Sequence, residues 1–293
     1  MDKPGRGYML RASSGEATAV SRPFDILSDI SVPGMYLETL LCLKPNPQSD
    51  SEALTYVPET DAFWIADDDH GSIYEVERAT GAYVTEIELS TILDAFPEAA
   101  QCDDGDGDPS TTCSYLDNFE LLTYDRAASE LYLVNSVDMS PPDRPAIFRL
   151  AKGDCAACFD PVAWQPLPFE TRYLSVVARD GQILLALNDH LYEYDYDTNH
   201  LATVDMNGDS LPPAYETFSD VVDMSFDGTS MWILTVNRVL HQVEWASRTE
   251  VATFDLASFG FSLPRGLAVV QDTVYILEGD IPNPIYVLRR TEP

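Results

Sequence analysis

Lysine is close to absent from this chain. Only Lys3, Lys44 and Lys152 occur, and 17 basic residues face 49 acidic ones, giving a formal charge of −32 over 293 residues. A surface so short of ammonium groups repels nucleic-acid phosphates and anionic membranes and attracts cations. Nucleic-acid binding is excluded. The same charge also fits plain solubility, or life at high salt, where screening removes much of the self-repulsion. Long apolar runs are missing too: nothing approaches the roughly 18 apolar residues of a membrane span. No membrane insertion is expected. The opening MDKPGRGYMLRASSGE lacks the apolar core of a secretory signal. Nucleophile and phosphate motifs are absent as well: there is no GxSxG, no HExxH and no Gly-rich phosphate loop.

Cysteine is sparse, yet four of the 5 cysteines fall in close pairs. Cys102 and Cys113 bracket a Gly/Asp/Pro/Ser/Thr loop that a disulfide would staple, and Cys155 and Cys158 flank two alanines. A zinc site at the second pair would need two more ligands at recognisable spacing, and a redox CxxC would need a βαβ context. Neither is present nearby. Cys42 is left over, expected as a buried thiol in a strand. These pairs point to an oxidising compartment, secreted or periplasmic, with a signal peptide removed.

What is there is a repeat. Ala53–Ser90 divides into four apolar-alternating runs, Ala53–Val57, Ala62–Ala66, Ser72–Glu77 and Tyr83–Leu89, separated by Pro58–Asp61, Asp67–Gly71 and Ala79–Gly81. Period-2 runs bounded by Gly, Pro and Asp read as strands joined by hairpins. Four antiparallel strands in one twisted sheet make a β-propeller blade. Inner strands line up as Leu54-Thr55-Tyr56, Leu122-Thr123-Tyr124, Val176-Val177-Ala178, Met224-Ser225-Phe226 and Leu267-Ala268-Val269. Second strands line up around Trp64, Tyr132, Trp232 and Tyr275, which read as packing between blades rather than as a sugar-binding platform. The fold class is therefore all-β, a single β-propeller over 1–293. Five units carry the inner pair, and the N-terminal runs Tyr8–Ala12, Ala17–Ser21, Phe24–Ile30 and Tyr36–Leu43 suggest a divergent sixth. Six blades are expected, five being the alternative. The last unit lacks a fourth strand, so early residues would complete it and close the ring. An Asp/Gly-rich insertion, residues 90–117, would hang over one face.

Antiparallel geometry places the start of each inner strand and the end of each second strand at one mouth. Glu52 and Glu120 precede the inner triplet in adjacent units, where the other units carry Leu174, Val222 and Arg265. The second-to-third connections add Asp67, Asp68, Asp69 and His70, Asn135, and Asn188, Asp189 and His190. Oxygen donors gathered there would suit a hard cation such as Ca²⁺, although Asp and Asn are also ordinary turn residues. In the insertion, Asp104, Asp106 and Asp108 alternate as in calcium loops, but Pro109 and Tyr115 stand where an EF-hand needs glycine and a bidentate glutamate. The expected metal residues are thus Glu52, Glu120, Asp67, Asn135, Asn188, Asp104, Asp106 and Asp108. His70 and His190, each following an Asp, are the candidates for a general base.

The run Asp117–Asp125, Asp-Asn-Phe-Glu-Leu-Leu-Thr-Tyr-Asp, followed by Glu130-Leu131-Tyr132-Leu133-Val134, resembles the repeat of the phytase-like propellers, including SdiA-regulated proteins. Leu54–Asp69 is similar. That resemblance implies a six-bladed ring, export, and calcium near the channel, held by the inner-strand glutamate, by position Glu120 and also Glu52. A lactonase-like propeller is similar in outline. Two functions are expected. One is a secreted, acidic, calcium-binding propeller acting as a ligand-binding or scaffold module for a small-molecule or protein partner. The alternative is a Ca²⁺-dependent hydrolase of a phosphoester or lactone, with metal-activated water.

Overall fold

The second strand of each repeat unit is an unbroken apolar run, and burial explains why. Ala62–Asp67, Ser230–Thr235 and Thr273–Glu278 are buried at every position. A strand covered on both faces has no use for polar alternation. Alternation returns only at the outer edge, where Tyr83–Glu88 and Thr249–Asp255 face solvent over most of their length. The computed structural model describes residues 5–8, 11–14, 17–20, 24–26, 31–43, 51–67, 71–100, 120–135, 144–155, 158–168, 173–187, 190–204, 221–279 and 283–291.

The strands assemble into five four-stranded antiparallel blades. Blade 1 comprises Ser51–Val57, Ala62–Asp67, Ser72–Glu77 and Tyr83–Glu88. Blade 2 comprises Leu121–Asp125, Glu130–Asn135, Ala146–Lys152 and Phe159–Pro166. Blade 3 runs Tyr173–Arg179, Gln182–Leu187, His190–Asp195 and His200–Thr203, and blade 4 runs Val221–Phe226, Ser230–Thr235, Val239–Glu244 and Thr249–Asp255. Blade 5 takes Pro264–Val270, Thr273–Glu278 and Ile285–Arg290 from late in the chain and Met35–Leu41 from early in it, with Ser31–Val32 at its edge.

Five blades, not six, is the correction to the expected count. The run beginning at Tyr36 is an outer strand, as its position after Gly34 suggests, but it belongs to blade 5, pairing Leu41 with Ile285 and Tyr36 with Arg289. Once it is used there, the earlier runs form two two-stranded ribbons, Gly5–Tyr8 with Phe24–Ile26 and Arg11–Ser14 with Ala17–Val20. Among the described residues each ribbon pairs only within itself and joins no blade, so neither makes a sixth four-stranded sheet. Cys42 also departs from expectation: it is exposed, one residue past the outer strand. The insertion opens with a short helix, Leu89–Ala95, whose buried Ile92 packs into the seam between blades 1 and 2. Apolar residues at Leu89, Ile92, Leu93 and Phe96 carry the helical period.

Five buried apolar clusters fill the five seams between blades. Trp64 packs edge-on to Phe159 across the first seam, and Phe63 meets Tyr275 with ring centroids 4.8 Å apart across the last. Each inner strand also touches the inner strands on either side, and Ser51–Val57 closes on Pro264–Val270.

A second device holds the inner ring. The middle residue of the inner triplet is Thr55, Thr123 or Ser225 in blades 1, 2 and 4. Its hydroxyl oxygen accepts the backbone N–H of Tyr124, Ala178 or Val269 respectively, always the third triplet residue of the next blade, at 2.9–3.1 Å. Blades 3 and 5 carry Val177 and Ala268 instead and use other means. Ser175 donates to Asp223 across the seam from blade 3 to blade 4. At the closing seam Gly266 lies so near blade 1 that a Cβ there would sit 2.6 Å from the Leu54 backbone nitrogen.

Candidate functional site

Four of the five inner strands are irregular at the same place. Ser51 pairs with Asp67 and Ala53 with Ala66, so Glu52 is an extra residue without a partner position. The same slip leaves Leu174, Val222 and Arg265 as the extra residue in blades 3, 4 and 5. In blade 2 the regular ladder begins at Leu121, and Glu120 stands immediately ahead of it. A β-bulge turns one side chain out of the pleat and bends the strand there. Repeated round the ring, it brings Glu52, Glu120, Leu174, Val222 and Arg265 to the wall of one cavity of about 380 Å³, completed by Leu121, Tyr173, Val221, Val236, Leu263 and Pro264.

The charged groups of this mouth have defined partners. Arg265 holds Glu52 through an Nη1–Oε2 contact of 2.8 Å. Its stem lies against Gly279, where a Cβ would come within 2.6 Å of the Arg265 Cγ; absence of a side chain is what lets the arginine lie flat. Glu278, at the end of the second strand of blade 5, accepts the backbone N–H of Ser262 at 2.9 Å and of Leu263 at 2.6 Å, which fixes the loop leading to Arg265. Glu120 is 8 % exposed, so its carboxylate meets the cavity in a medium far less polar than water.

One residue further along the strands lies Asp223, 4 % exposed. Its Oδ1 accepts from the Ser175 hydroxyl and from the Met224 N–H, both at 2.8 Å, and its Oδ2 accepts from the Leu267 N–H at 2.7 Å. Burial nevertheless dominates and pushes its pKa up to about 8. One carboxyl thus ties blades 3, 4 and 5 beneath the mouth. Sequence reasoning passed over it; the signal was a lone aspartate in the apolar run Val-Val-Asp-Met, since a buried carboxyl must find donors.

The residues expected from sequence divide into three groups. Glu52 and Glu120 share the cavity wall. Asp67 and Asn135, each 1 % exposed, end the second strands of blades 1 and 2 at the same face but do not line that cavity. Asp67 lies instead near a buried polar group in which Ser51 Oγ meets the Tyr74 hydroxyl at 3.1 Å and receives Asn283 Nδ2 at 3.3 Å. His70, Asn188, Asp104, Asp106, Asp108, Cys102 and Cys113 lie outside the described residues, and of His190 only the backbone, opening the third strand of blade 3, is described. Cys155 and Cys158 form a disulfide with their Cα atoms 5.2 Å apart, at the hairpin between the third and outer strands of blade 2. His241 is paired with Glu250 at 3.2 Å. Among the described residues no three His, Cys, Asp or Glu side chains stand together as a metal ion would need. With Arg265 on Glu52 and an apolar wall opposite, the described part of the mouth does not by itself make a calcium cage.

A second hollow, of about 630 Å³, opens on the opposite face between blades 2 and 3. Tyr132 there donates to Glu130 at 2.8 Å, Arg149 lies 5.2 Å from the Tyr196 ring centroid, and Tyr194 donates to Asn199 at 2.9 Å. The Tyr196 hydroxyl and Arg149 Nε are nevertheless buried there without a hydrogen-bond partner among the described residues. Among the described residues no helix is long and apolar enough to cross a membrane.

No family model and no curated protein matches the sequence. Solved structures do match in fold. Glutaminyl cyclase from Myxococcus xanthus superimposes with a TM-score of 0.58 at 10 % identity, covering 89 % of this chain and 100 % of its own. The β-propeller domain of Cps50 (Swd1) from Myceliophteria thermophila gives 0.42 at 8 % identity, covering 81 % of this chain and 64 % of its own. At such identity the first likeness speaks for fold alone, and propellers host many unrelated functions.

Proposed function

We propose that this chain is a binding propeller whose ligand site is the mouth cavity. One observation carries the reading: a bulge recurs at the mouth in four blades, and the residues it turns outward, with Glu120 in the fifth, converge on a single hollow. Strand irregularity that serves only packing would have no reason to gather five side chains at one end of the channel. The volume lies at the lower end of ordinary small-molecule sites, about 300–1,000 Å³. A rigid ring with variable side chains at its mouth is a scaffold for binding before it is anything else. The Cys155–Cys158 disulfide supports an oxidising setting, periplasmic or extracellular.

The test is a fragment screen by ligand-observed NMR on the wild type and on Val222→Trp, which fills the cavity. Fragments that bind the first and are lost on the second support the reading. Fragments that bind both equally would locate the site elsewhere, with the hollow between blades 2 and 3 the first place to look.

A second reading, calcium-dependent hydrolysis of a phosphoester or lactone, is favoured by Glu120 standing at the mouth where the phytase-like resemblance puts an ion-bearing glutamate. Calcium would then draw on Glu120 together with donors from the second-to-third connections. His190, which opens a strand at this face, would serve as base. Phosphoester and lactone panels assayed with and without chelator, and again with Glu120→Gln and His190→Ala, decide it. Turnover indifferent to chelation and to both substitutions dismisses this chemistry. Because the solved neighbour in fold bears the name glutaminyl cyclase, a peptide with N-terminal glutamine belongs in the same panel.

A further inference from the structure

We infer that the hollow between blades 2 and 3 is a second binding site, and that it takes a neutral polyhydroxylated molecule, a sugar. Its wall is braced before any ligand arrives. Gln165, on the outer strand of blade 2, donates to the Tyr194 hydroxyl and to the Tyr196 carbonyl of blade 3, both at 2.6 Å. Asn199 returns a bond of 3.1 Å to the Pro166 carbonyl, and the Gly181 N–H donates to Asp125 at 2.8 Å. Two hairpin turns of blade 3 are thereby pinned to blade 2, with the hollow between them. A Cβ at Gly181 would meet nothing within 4 Å, so the space over that turn is clear. The wall's own bonding is also incomplete, since Tyr196 and Arg149 each bury a polar atom that no described residue meets.

What the wall leaves open decides the class of ligand. Four carboxylates line the hollow, Glu130, Glu193, Asp195 and Asp197. Three are already engaged. Glu130 accepts from Tyr132 at 2.8 Å and faces Arg149 at 3.6 Å, and Glu193 holds Arg248 at 3.2 Å. Asp195 accepts two backbone N–H groups of its own turn. An anion would meet these four charges against the one guanidinium of Arg149. A cation would find only Asp197 open among the described residues, on an exposed turn where a single ion pair is worth little. An apolar molecule would strip water from Asp197, Gln182 and His200, all exposed, without replacing it. A sugar meets none of these objections. An engaged carboxylate keeps lone pairs to which a hydroxyl can donate, so no ion pair has to break. Each hydroxyl both gives and takes a bond, and so do an amide and an imidazole. Arg149 adds a donor, and the partly exposed ring of Tyr196 offers apolar cover to the C–H face of a sugar ring. The volume of about 630 Å³ falls within the range of small-molecule sites.

The probes are glucose, galactose, N-acetylglucosamine, maltose and cellobiose, with glucuronate, putrescine and cyclohexanol as charged and apolar counterparts. Each is titrated into the full chain and followed by chemical shifts. At least one neutral sugar is expected to shift Gln182, Asp197 and His200 at millimolar concentration, and to bind about tenfold or more tightly than every counterpart. Asp197→Ala, a change in an exposed turn, should weaken that sugar about tenfold, the worth of a hydrogen bond to a charged group. Ala202→Trp, at an exposed strand position, fills the hollow and should abolish binding. Val222→Trp at the mouth should leave it unchanged, so the two sites stand or fall separately; loss on Val222→Trp would put the sugar at the mouth instead. A counterpart that binds here as tightly as the best sugar would overturn the ligand class. Shifts confined to other residues, binding that survives Ala202→Trp, or no binding by any sugar would overturn the site itself. The wild-type titrations decide the matter even where a variant does not fold.

Discussion

Asp223 shows how one side chain couples the ring to its solvent. It is held by three donors from three blades, yet burial outweighs them and its pKa rises from the usual 3.8 to about 8. At neutral pH the native carboxyl therefore keeps its proton, whereas the unfolded chain has lost it. Between those two values the native state binds more protons than the unfolded one, so stability must fall as pH rises through that window, at most by about 1.4 kcal/mol per pH unit. Below the unfolded pKa the contribution is present in full. Asp223→Asn should flatten this part of the stability profile, and it should also lose one acceptor contact, because an amide cannot accept at both former oxygens. Urea midpoints measured from pH 4 to 9 for both proteins check this; parallel profiles would show that Asp223 does not titrate as described.

At the scale of the element, the decisive positions are those in the middle of the inner triplets. Thr123→Val keeps the shape but removes the acceptor for the Ala178 N–H, 2.9 Å away, and a buried amide left without a partner costs about 1–3 kcal/mol. Faster hydrogen exchange at Ala178 and a lower unfolding midpoint are the expected results; unchanged protection there would mean the seam finds its hold elsewhere. These strands were legible from sequence because alternation, turn residues and the recurring aromatic of the second strand all agree. Their triplets could be aligned by eye. What the hydroxyls do could not, since the partner N–H lies on the next blade, some 45 to 70 residues away, and nothing in the local pattern announces it. The bulges were hidden for a related reason. Glu52 and Arg265 stood in the same column as Glu120, Leu174 and Val222, but a one-residue slip shows only once the opposing strand is paired. The blade count misled for another reason again: the early runs have strand composition, and although early residues were expected to complete the last unit, only pairing reveals that the strand spent there is Met35–Leu41, which leaves no sixth blade among the described residues.

For the molecule as a whole, closure is the controlling event, and Gly266 sits on it. A methyl group there would meet both the Cβ and the backbone nitrogen of Leu54 at 2.6 Å, so the first and last inner strands could not approach as they do. Gly266→Ala should cost about 1–3 kcal/mol, the range for overfilling a packed site. A larger radius in small-angle scattering should accompany any opening of the ring. An unchanged urea midpoint would contradict the tight contact. The pairing that completes blade 5 joins Leu41 to Ile285. During synthesis, the strand Met35–Leu41 emerges long before Ile285–Arg290 exists, and it must wait with Met35 and Leu41, both buried in the finished protein, open to any other edge it meets. The ribosome therefore hands the cell a chain with its clasp half made, and holdases that shield that waiting strand should govern how much of the protein reaches its native form.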